Sequence, residues 1–183
     1  MEDYAYIIDF LPHGRHDDKR FKREPLAYGL GTQEFKLFEL TPKNNVNLTV
    51  GDIVYIGKEV PMRDAIQHVK RRVSFNDLTH AAMSELPFVV EKIVEDRGED
   101  FLQFYNKARA ITTRMHMLEL LPGLGKKTMW AIIEERDKSG EFESYEELEK
   151  RVPALHHPKK LIAKRIHQEL QDPEQKYHLF VAK

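Results

Sequence analysis

The sequence predicts an α+β protein in which a small N-terminal β-barrel is followed by an all-α domain. The first sixty residues hold short aromatic and β-branched runs separated by glycine, proline and asparagine turns, a pattern typical of small barrels. After Pro61 the apolar residues recur with the spacing of a helix. Towards the C-terminus, two segments in turn have the order helix, tight turn, helix.

Five strands are expected in the N-terminal part. The first, Tyr4–Leu11, is rich in β-branched and aromatic residues and stops before Pro12. Gly29 and Gly31 fall where a bulge or a tight coil would lie. The other four strands are expected at 26–30, 34–40, 46–50 and 53–57. Strands this short, with glycine-marked bends, suggest a closed or half-closed barrel.

Helices are expected from Met62 onward. The first is predicted over Met62–Arg72, because its apolar residues fall on one side of a helix. Ser74 suits the N-cap of a second helix, and Pro87 suits the start of a further one. The expected domains are a barrel over 1–60, a helical connector over 61–111, paired hairpins over 112–172, and a tail or edge strand over 173–183.

Composition excludes several classes of protein. The net charge is -1, so no overall basic character indicates a nucleic-acid partner, and basic residues matter only where they cluster. The absence of cysteine excludes disulfides, thiolate nucleophiles and cysteine-ligated metals. No apolar run approaches the roughly 18 residues that a membrane helix needs, and the N-terminus lacks the order of a signal peptide. We therefore expect a soluble, cytoplasmic protein without a membrane partner.

One turn, Pro122–Gly125, carries most of the functional argument. Its proline ends a first helix, because it cannot donate an amide hydrogen there. Gly123 and Gly125 are expected to adopt positive φ. A second helix would then begin with free amides at the positive end of its dipole, where Lys126 and Lys127 add charge. Such an end holds phosphate by main chain and reads no base identity.

The segment around this turn resembles the helix-hairpin-helix family. Leu118 and Leu121 match the apolar positions of its first helix, and Leu124 matches the residue between the helices. Ile132 and Ile133 match the anchors of the second helix. The resemblance implies sequence-independent binding of nucleic acid through the hairpin. The alternative interpretation is a tight turn between two packed helices.

Two residues depart from the pattern of that family. Met129 stands where the family usually has a small residue, which would move the two helices apart. Trp130 stands at a position that is normally polar. A tryptophan there can stack on a base or anchor a domain interface.

A second, altered copy of the motif follows. The segment Val152–Ala163 has Pro-Ala-Leu in place of Pro-Gly-Leu, and both glycines are lost. Between positions 150 and 168 there are basic residues and no acidic ones, which favours phosphate contact or, alternatively, a solvated helix face. The phosphate-binding residues expected in this copy are Lys159, Lys160, Lys164 and Arg165.

The N-terminal barrel resembles the OB-fold in its strand count, its long first strand and its glycine bends, and Gly51–Gly57 resembles the closing strand of small RNA-binding barrels. This resemblance implies that the loop after the first strand binds an oligonucleotide. The loop is rich in cations beside Phe21, which suits a single strand. The expected contacts are Arg15, Lys19, Arg20, Lys22 and Arg23. A metal site within His13–Asp18 and a mobile surface loop are the alternatives.

Over nearly its full length the chain resembles a small uncharacterised family, mainly archaeal, with an N-terminal barrel and a C-terminal helix-hairpin-helix region. Its members are described at most as candidate nucleotide- or nucleic-acid-binding proteins. The expected function is therefore non-catalytic, largely sequence-independent binding of nucleic acid, with RNA favoured over DNA and with no cofactor or metal. Phosphate contacts are common to both polymers, so the target stays open, as does the oligomeric state.

Two other functions are alternatives. A metal-dependent nuclease or repair enzyme needs clustered carboxylates, for which Asp9, Asp17 and Asp18 are the candidates. A protein–protein adaptor in a ribosomal or transcription assembly would use the hairpins as packing units. No P-loop and no nucleophile elbow is present in the sequence, which favours a binding protein.

Overall fold

The computed structural model describes residues 1–16 and 23–183. The strands are β1 (Tyr4–Leu11), β2 (Leu26–Gly31), β3 (Leu37–Pro42), β4 (Ile53–Tyr55) and β5 (Ile66–Val73). The helices are α1 (His80–Asp96), α2 (Gly98–Lys107), α3 (Lys126–Ser139), α4 (Tyr145–Arg151) and α5 (Pro158–Gln171), with short 3-10 helices at Val60–Met62, Phe75–Asp77 and Met117–Leu120. The α+β class is confirmed. Within the described ranges, no helix is long and apolar enough to cross a bilayer.

Contacts divide the chain into two compact units. The first unit consists of Met1–Val89 together with Glu169–Lys183, and the second consists of Val90–Gln168. The first unit therefore contains the whole sheet, and the second contains both predicted hairpins.

The first unit is built on a curled antiparallel sheet that forms a half-barrel. The strand order is β4-β1-β2-β3-β5, and bulges interrupt the β1–β2 and β3–β5 pairings, which increases the local twist. Arg63 connects the two edges of the sheet. Its guanidinium donates to the carbonyls of Ile56 at 3.2 Å and Gly57 at 2.9 Å, next to β4, and to that of Gln67 at 3.5 Å, in β5.

One face of the sheet encloses an apolar core, to which the loop between β3 and β4 contributes Leu48. The prediction of a strand over 46–50 is wrong, because this segment is irregular. Asp52 accepts a hydrogen bond from the amide of Thr49 at 2.8 Å, which turns the chain before β4 begins. The buried core residues are Ala5, Ile7, Ala27, Leu40, Leu48, Val54, Ile56 and Ile66.

The prediction of a helix over Met62–Arg72 is also wrong, because most of that segment is strand β5. Ile66 and Val73 are buried at its two ends, and the residues between them are mostly exposed. β5 pairs with β3 over its whole length. This pairing joins residues about thirty positions apart, and it outweighs the local apolar spacing that indicated a helix.

A single helix, α1, covers the segment in which two helices are expected. Pro87 lies inside α1 instead of starting a helix, so the apolar residues on both sides of it belong to one continuous element. Thr79 fixes the start of α1, since its hydroxyl accepts a hydrogen bond from the amide of Ala82 at 3.0 Å. The same hydroxyl donates to Asp9 of β1 at 2.5 Å, which ties the helix to the sheet.

A buried carboxylate, Glu39, lies in a polar row that crosses the sheet. Its direct neighbours on β2 and β5 are Tyr28 and Arg71. Glu39 accepts hydrogen bonds from Arg71 at 2.8 and 2.9 Å and lies 3.0 Å from the guanidinium of Arg15. Burial alone would raise the pKa of Glu39, but the hydrogen bond from Arg71 and the charges of Arg15 and Arg71 lower it below its usual value.

A second buried carboxylate, Glu169 near the end of α5, holds the C-terminal segment. Its oxygens accept hydrogen bonds from the amides of Leu179, Phe180 and Val181 at 2.6, 3.0 and 2.9 Å. The carboxylate thereby satisfies three consecutive backbone donors. The segment after α5 is an irregular tail, so of the two predicted possibilities the edge strand is excluded.

We expect Glu39→Gln to destabilise the protein by about 1–3 kcal/mol at neutral pH, because the substitution removes the charge that two guanidinium groups share. The pKa of Glu39 is lowered in the folded state. The contribution of Glu39 to the free energy of unfolding is therefore complete above the unfolded-state pKa, and it is lost as the pH falls through the folded-state pKa. The free energies of unfolding of the parent and of Glu39→Gln, measured by denaturant titration, should converge in acid. A difference that widens in acid would contradict this account.

We expect Glu169→Ala to speed hydrogen exchange at the amides of Leu179, Phe180 and Val181, because each loses its acceptor. Glu169→Gln should have a smaller effect, since the carboxamide keeps one acceptor oxygen. Glu174→Ala, at an exposed glutamate of the same segment, is the matched control. Unchanged protection in Glu169→Ala, measured by mass spectrometry, would show that the carboxylate does not hold the tail.

Candidate nucleic-acid interface

The predicted Pro122–Gly125 turn is tight and well anchored. The amide of Leu124 donates to the carbonyl of Leu121 at 3.2 Å, and both leucines are buried. Gly123, which follows a proline, has a φ of 87°, as a type II turn requires at that position. The predicted positive φ of Gly123 is confirmed.

The same prediction is wrong for Gly125, whose φ is -82° and ψ 169°. This backbone is extended and available to any residue, so Gly125 is not needed for conformational freedom. It is the N-cap of α3. A Cβ atom added there would have no described atom within 4 Å. The space beside Gly125, at the start of α3, is therefore open.

The segment before the turn is the 3-10 helix Met117–Leu120, and the expected α-helix is not formed. The amide of His116 donates to Glu119 at 2.7 Å, and Nδ1 of His116 accepts from the amide of Leu118 at 3.0 Å. Burial, together with the charge of Arg136, lowers the pKa of His116. A neutral ring leaves Nδ1 able to accept, and the two reciprocal bonds cap the start of this 3-10 helix.

Charge at the start of α3 opposes the helix dipole. The described residues provide no side-chain cap there, and the first turn contains Lys126 and Lys127 but no acidic residue. The Lys126 side chain is 77% exposed, and its Nζ lies 4.0 Å from a carboxylate oxygen of Glu119, at the limit of an ion pair. Cations next to the positive end of a helix are unfavourable, so an anion bound here would relieve the repulsion.

The second hairpin has the same kind of hydrogen-bonded turn as the first, but neither the positive φ after its proline nor the open helix start. The amide of Leu155 donates to the carbonyl of Val152 at 3.0 Å, and both residues are buried. The left-handed residue is His157, with a φ of 51°. Pro158 begins α5 without an amide hydrogen, and its carbonyl accepts from the hydroxyl of Tyr105 at 2.5 Å. The start of α5 therefore packs against Tyr105 of α2.

The cations predicted on the second hairpin have different surroundings. Arg165 is buried and donates to the carbonyl of Leu120 at 3.3 Å, so it braces the first hairpin and does not lie on the surface. Lys159 pairs with Glu95 at 2.9 Å and lies 4.9 Å from the centre of the Tyr145 ring. Lys160 and Lys164 are exposed one turn apart on α5. These two lysines are the ones that remain available for phosphate contact.

The residues of the loop after β1 that were predicted to bind nucleic acid have different surroundings where the structure describes them. Arg15 belongs to the internal network, since it donates to the hydroxyl of Tyr28 and, at 2.9 Å, to the carbonyl of Asp77. Arg23 is exposed. The remaining predicted residues of this loop, Asp17, Asp18, Lys19, Arg20, Phe21 and Lys22, lie outside the described residues.

The proposed metal ligands are only partly described. In the parts of the chain that the structure describes, no three His, Asp or Glu side chains are grouped so that they could hold a metal ion. Asp9 accepts hydrogen bonds from Thr79 and from the amide of Phe10. A metal site that uses Asp17 and Asp18 stays a prediction.

Two exposed arginines near the first hairpin were not predicted from the sequence. Arg109 and Arg114 belong to a loop that an isolated β-bridge between Ala110 and His116 closes before the 3-10 helix, and the amide of Met117 donates to the carbonyl of Arg109 at 2.9 Å. The sequence feature that could have identified them is their position just before the hairpin motif. They add positive charge to the surface of the second unit.

The first unit contains a cavity of about 470 Å³. Its lining includes Phe35, Leu37, Val73, Leu170 and Val181, with Arg72 among the polar residues. None of the hairpin residues contributes to it. The cavity and the start of α3 are therefore separate features of the molecule.

Comparisons with known proteins agree on one family. The family described as "Protein of unknown function (DUF655)" matches residues 1–182. The uncharacterized protein MJ0038 of Methanocaldococcus jannaschii is 45% identical over 182 residues, which cover 99% of this chain and 80% of that protein. The crystal structure of Af1531 from Archaeoglobus fulgidus, also described as DUF655, is similar with a TM-score of 0.90 and 49% identity, over 99% of this chain and all of that one. The chain belongs to the DUF655 family.

Proposed function

We propose that this protein binds nucleic acid without catalysis and that a backbone phosphate binds at the start of α3. One observation carries the proposal: α3 begins at a glycine, without a side-chain cap or an acidic residue in its first turn, and with two exposed lysines. This arrangement weakens the helix when nothing is bound. Local conflicts of this kind are expected where a binding site overrides stability.

The geometry of the turn suits a contact with phosphate and not with a base. The free amides at the start of α3 point out of the helix end, where a phosphate oxygen can accept from them. The lysine side chains add mobile charge around the same point. Contacts of this kind are independent of sequence, so we propose affinity for the polymer backbone in general.

Features of both units support nucleic acid as the ligand, and one of them, in the first unit, favours RNA over DNA. The curled five-stranded sheet of the first unit is consistent with an OB-like fold, a class that binds oligonucleotides. Segment Gly51–Gly57, which includes β4, resembles the closing strand of small RNA-binding barrels. In the second unit the exposed cations Arg109, Arg114, Lys160 and Lys164 can add phosphate contacts to those of α3.

We expect Gly125→Asp to weaken binding strongly and Gly125→Asn to weaken it less. Both residues are good N-caps, so both should keep or raise the stability of α3. Only aspartate places a negative charge where the phosphate would lie. Fluorescence anisotropy with labelled single-stranded RNA and duplex DNA measures the effect, with thermal melts to confirm folding. Equal affinity for the two variants and the parent would exclude a phosphate at this helix end.

We expect Lys127→Ala to reduce the dependence of log K on log salt by about one unit, because one released counterion per phosphate contact is lost. Lys126→Ala together with Lys127→Ala should reduce it by about one to two units. The matched control is Lys138→Ala, at an exposed lysine near the other end of α3. If Lys138→Ala changes the slope as much as Lys127→Ala does, the contact is not localised at the start of the helix.

A further inference from the structure

Trp130 is an exposed aromatic residue on the lysine-bearing side of α3. It is the only tryptophan of the chain, and the residue is 55% exposed. Lys126 and Lys127 precede it by four and three residues, so the three side chains are neighbours on one helix face. Four residues, about 6 Å along the helix axis, separate Trp130 from Lys126.

The packing of α3 does not require Trp130. Met129 and Ile132 are the buried residues of this helix and point to the interior of the second unit. Among the described residues, Trp130 makes no ring stacking or cation–π contact. The largest side chain of the helix therefore presents its ring to solvent.

The neighbours of Trp130 distinguish between two kinds of partner. Its exposed helical neighbours are Lys126, Lys127 and Glu134, all charged. The centre of a protein–protein interface is depleted in charged residues, especially lysine and glutamate. An aromatic ring next to cations, as Trp130 is next to Lys126 and Lys127, is instead typical of surfaces that bind single-stranded nucleic acid, where bases stack and phosphates pair with positive charge.

We infer that Trp130 stacks on an unpaired base of the nucleic acid whose phosphate binds at the start of α3. This inference rests on the proposed function and narrows its ligand class to single strands, or to structured RNA with unpaired nucleotides. Bases inside a continuous duplex are covered on both faces by their neighbours. Stacking does not distinguish among the four bases, so binding stays independent of sequence.

The single tryptophan makes the test direct, because all indole emission comes from position 130. The parent protein is titrated with a single-stranded RNA oligonucleotide, a blunt duplex of equal length, and a single strand whose central nucleotides are abasic. The normal single strand should quench the emission. The duplex and the abasic strand should bind with much less quenching. Equal quenching by the abasic strand would overturn the inference.

Affinity gives a second measurement. Trp130→Ala should weaken binding of the single strand by about 5- to 150-fold, and Trp130→Phe should lose less, because it keeps an aromatic face. Binding of the blunt duplex should change little in either variant. If the parent binds the single strand and Trp130→Ala binds it equally well, stacking is wrong while the proposed function stands. If the parent binds none of the three oligonucleotides, both are wrong.

Discussion

Backbone amides need acceptors, and in this protein carboxylates repeatedly supply them. Glu2 accepts from the amides of Gln33 and Glu34, and Glu169 accepts from three consecutive amides of the C-terminal segment. Glu119 does the same before the first hairpin. These carboxylates fix irregular segments that neither a strand nor a helix would order. The positions of the loops, and hence of the elements between them, depend on this interaction.

The start of α3 departs from this rule. In the part of the chain that the structure describes, no side chain caps this helix, while two lysines stand in its first turn. The related turn before α5 shows the other solution, since its first helical residue is a proline with no amide hydrogen to satisfy. The two hairpins thus share a hydrogen-bonded turn but differ in backbone conformation and in what they leave open. Our proposal that phosphate binds at the first hairpin rests on this difference, whereas the start of α5 packs against Tyr105.

Strands β1 to β3 and the positive φ of Gly123 were predictable, because each depends on a few adjacent residues. Strand β5 was not, because its partner lies about thirty residues earlier and the local spacing of its apolar residues indicated a helix. The expectation that basic residues lie on the surface also failed for two arginines. Arg15 donates to the hydroxyl of Tyr28, and Arg165 donates to the carbonyl of Leu120. Sequence gives the charge of a residue, whereas its partner depends on the fold. The expected positive φ of Gly125 was wrong; this glycine has an extended backbone, with open space where a side chain would lie.

The most direct test of the central claim is an NMR titration of the ¹⁵N-labelled protein with a short single-stranded oligonucleotide at low salt. A phosphate held by main chain changes the environment of the amides that hold it. The account therefore predicts that the amide resonances of Gly125, Lys126 and Lys127 shift early and most, and that the amides at the start of α5 shift less, because only lysine side chains can contact phosphate there. Binding that shifts resonances elsewhere and leaves these three amides unchanged would contradict it.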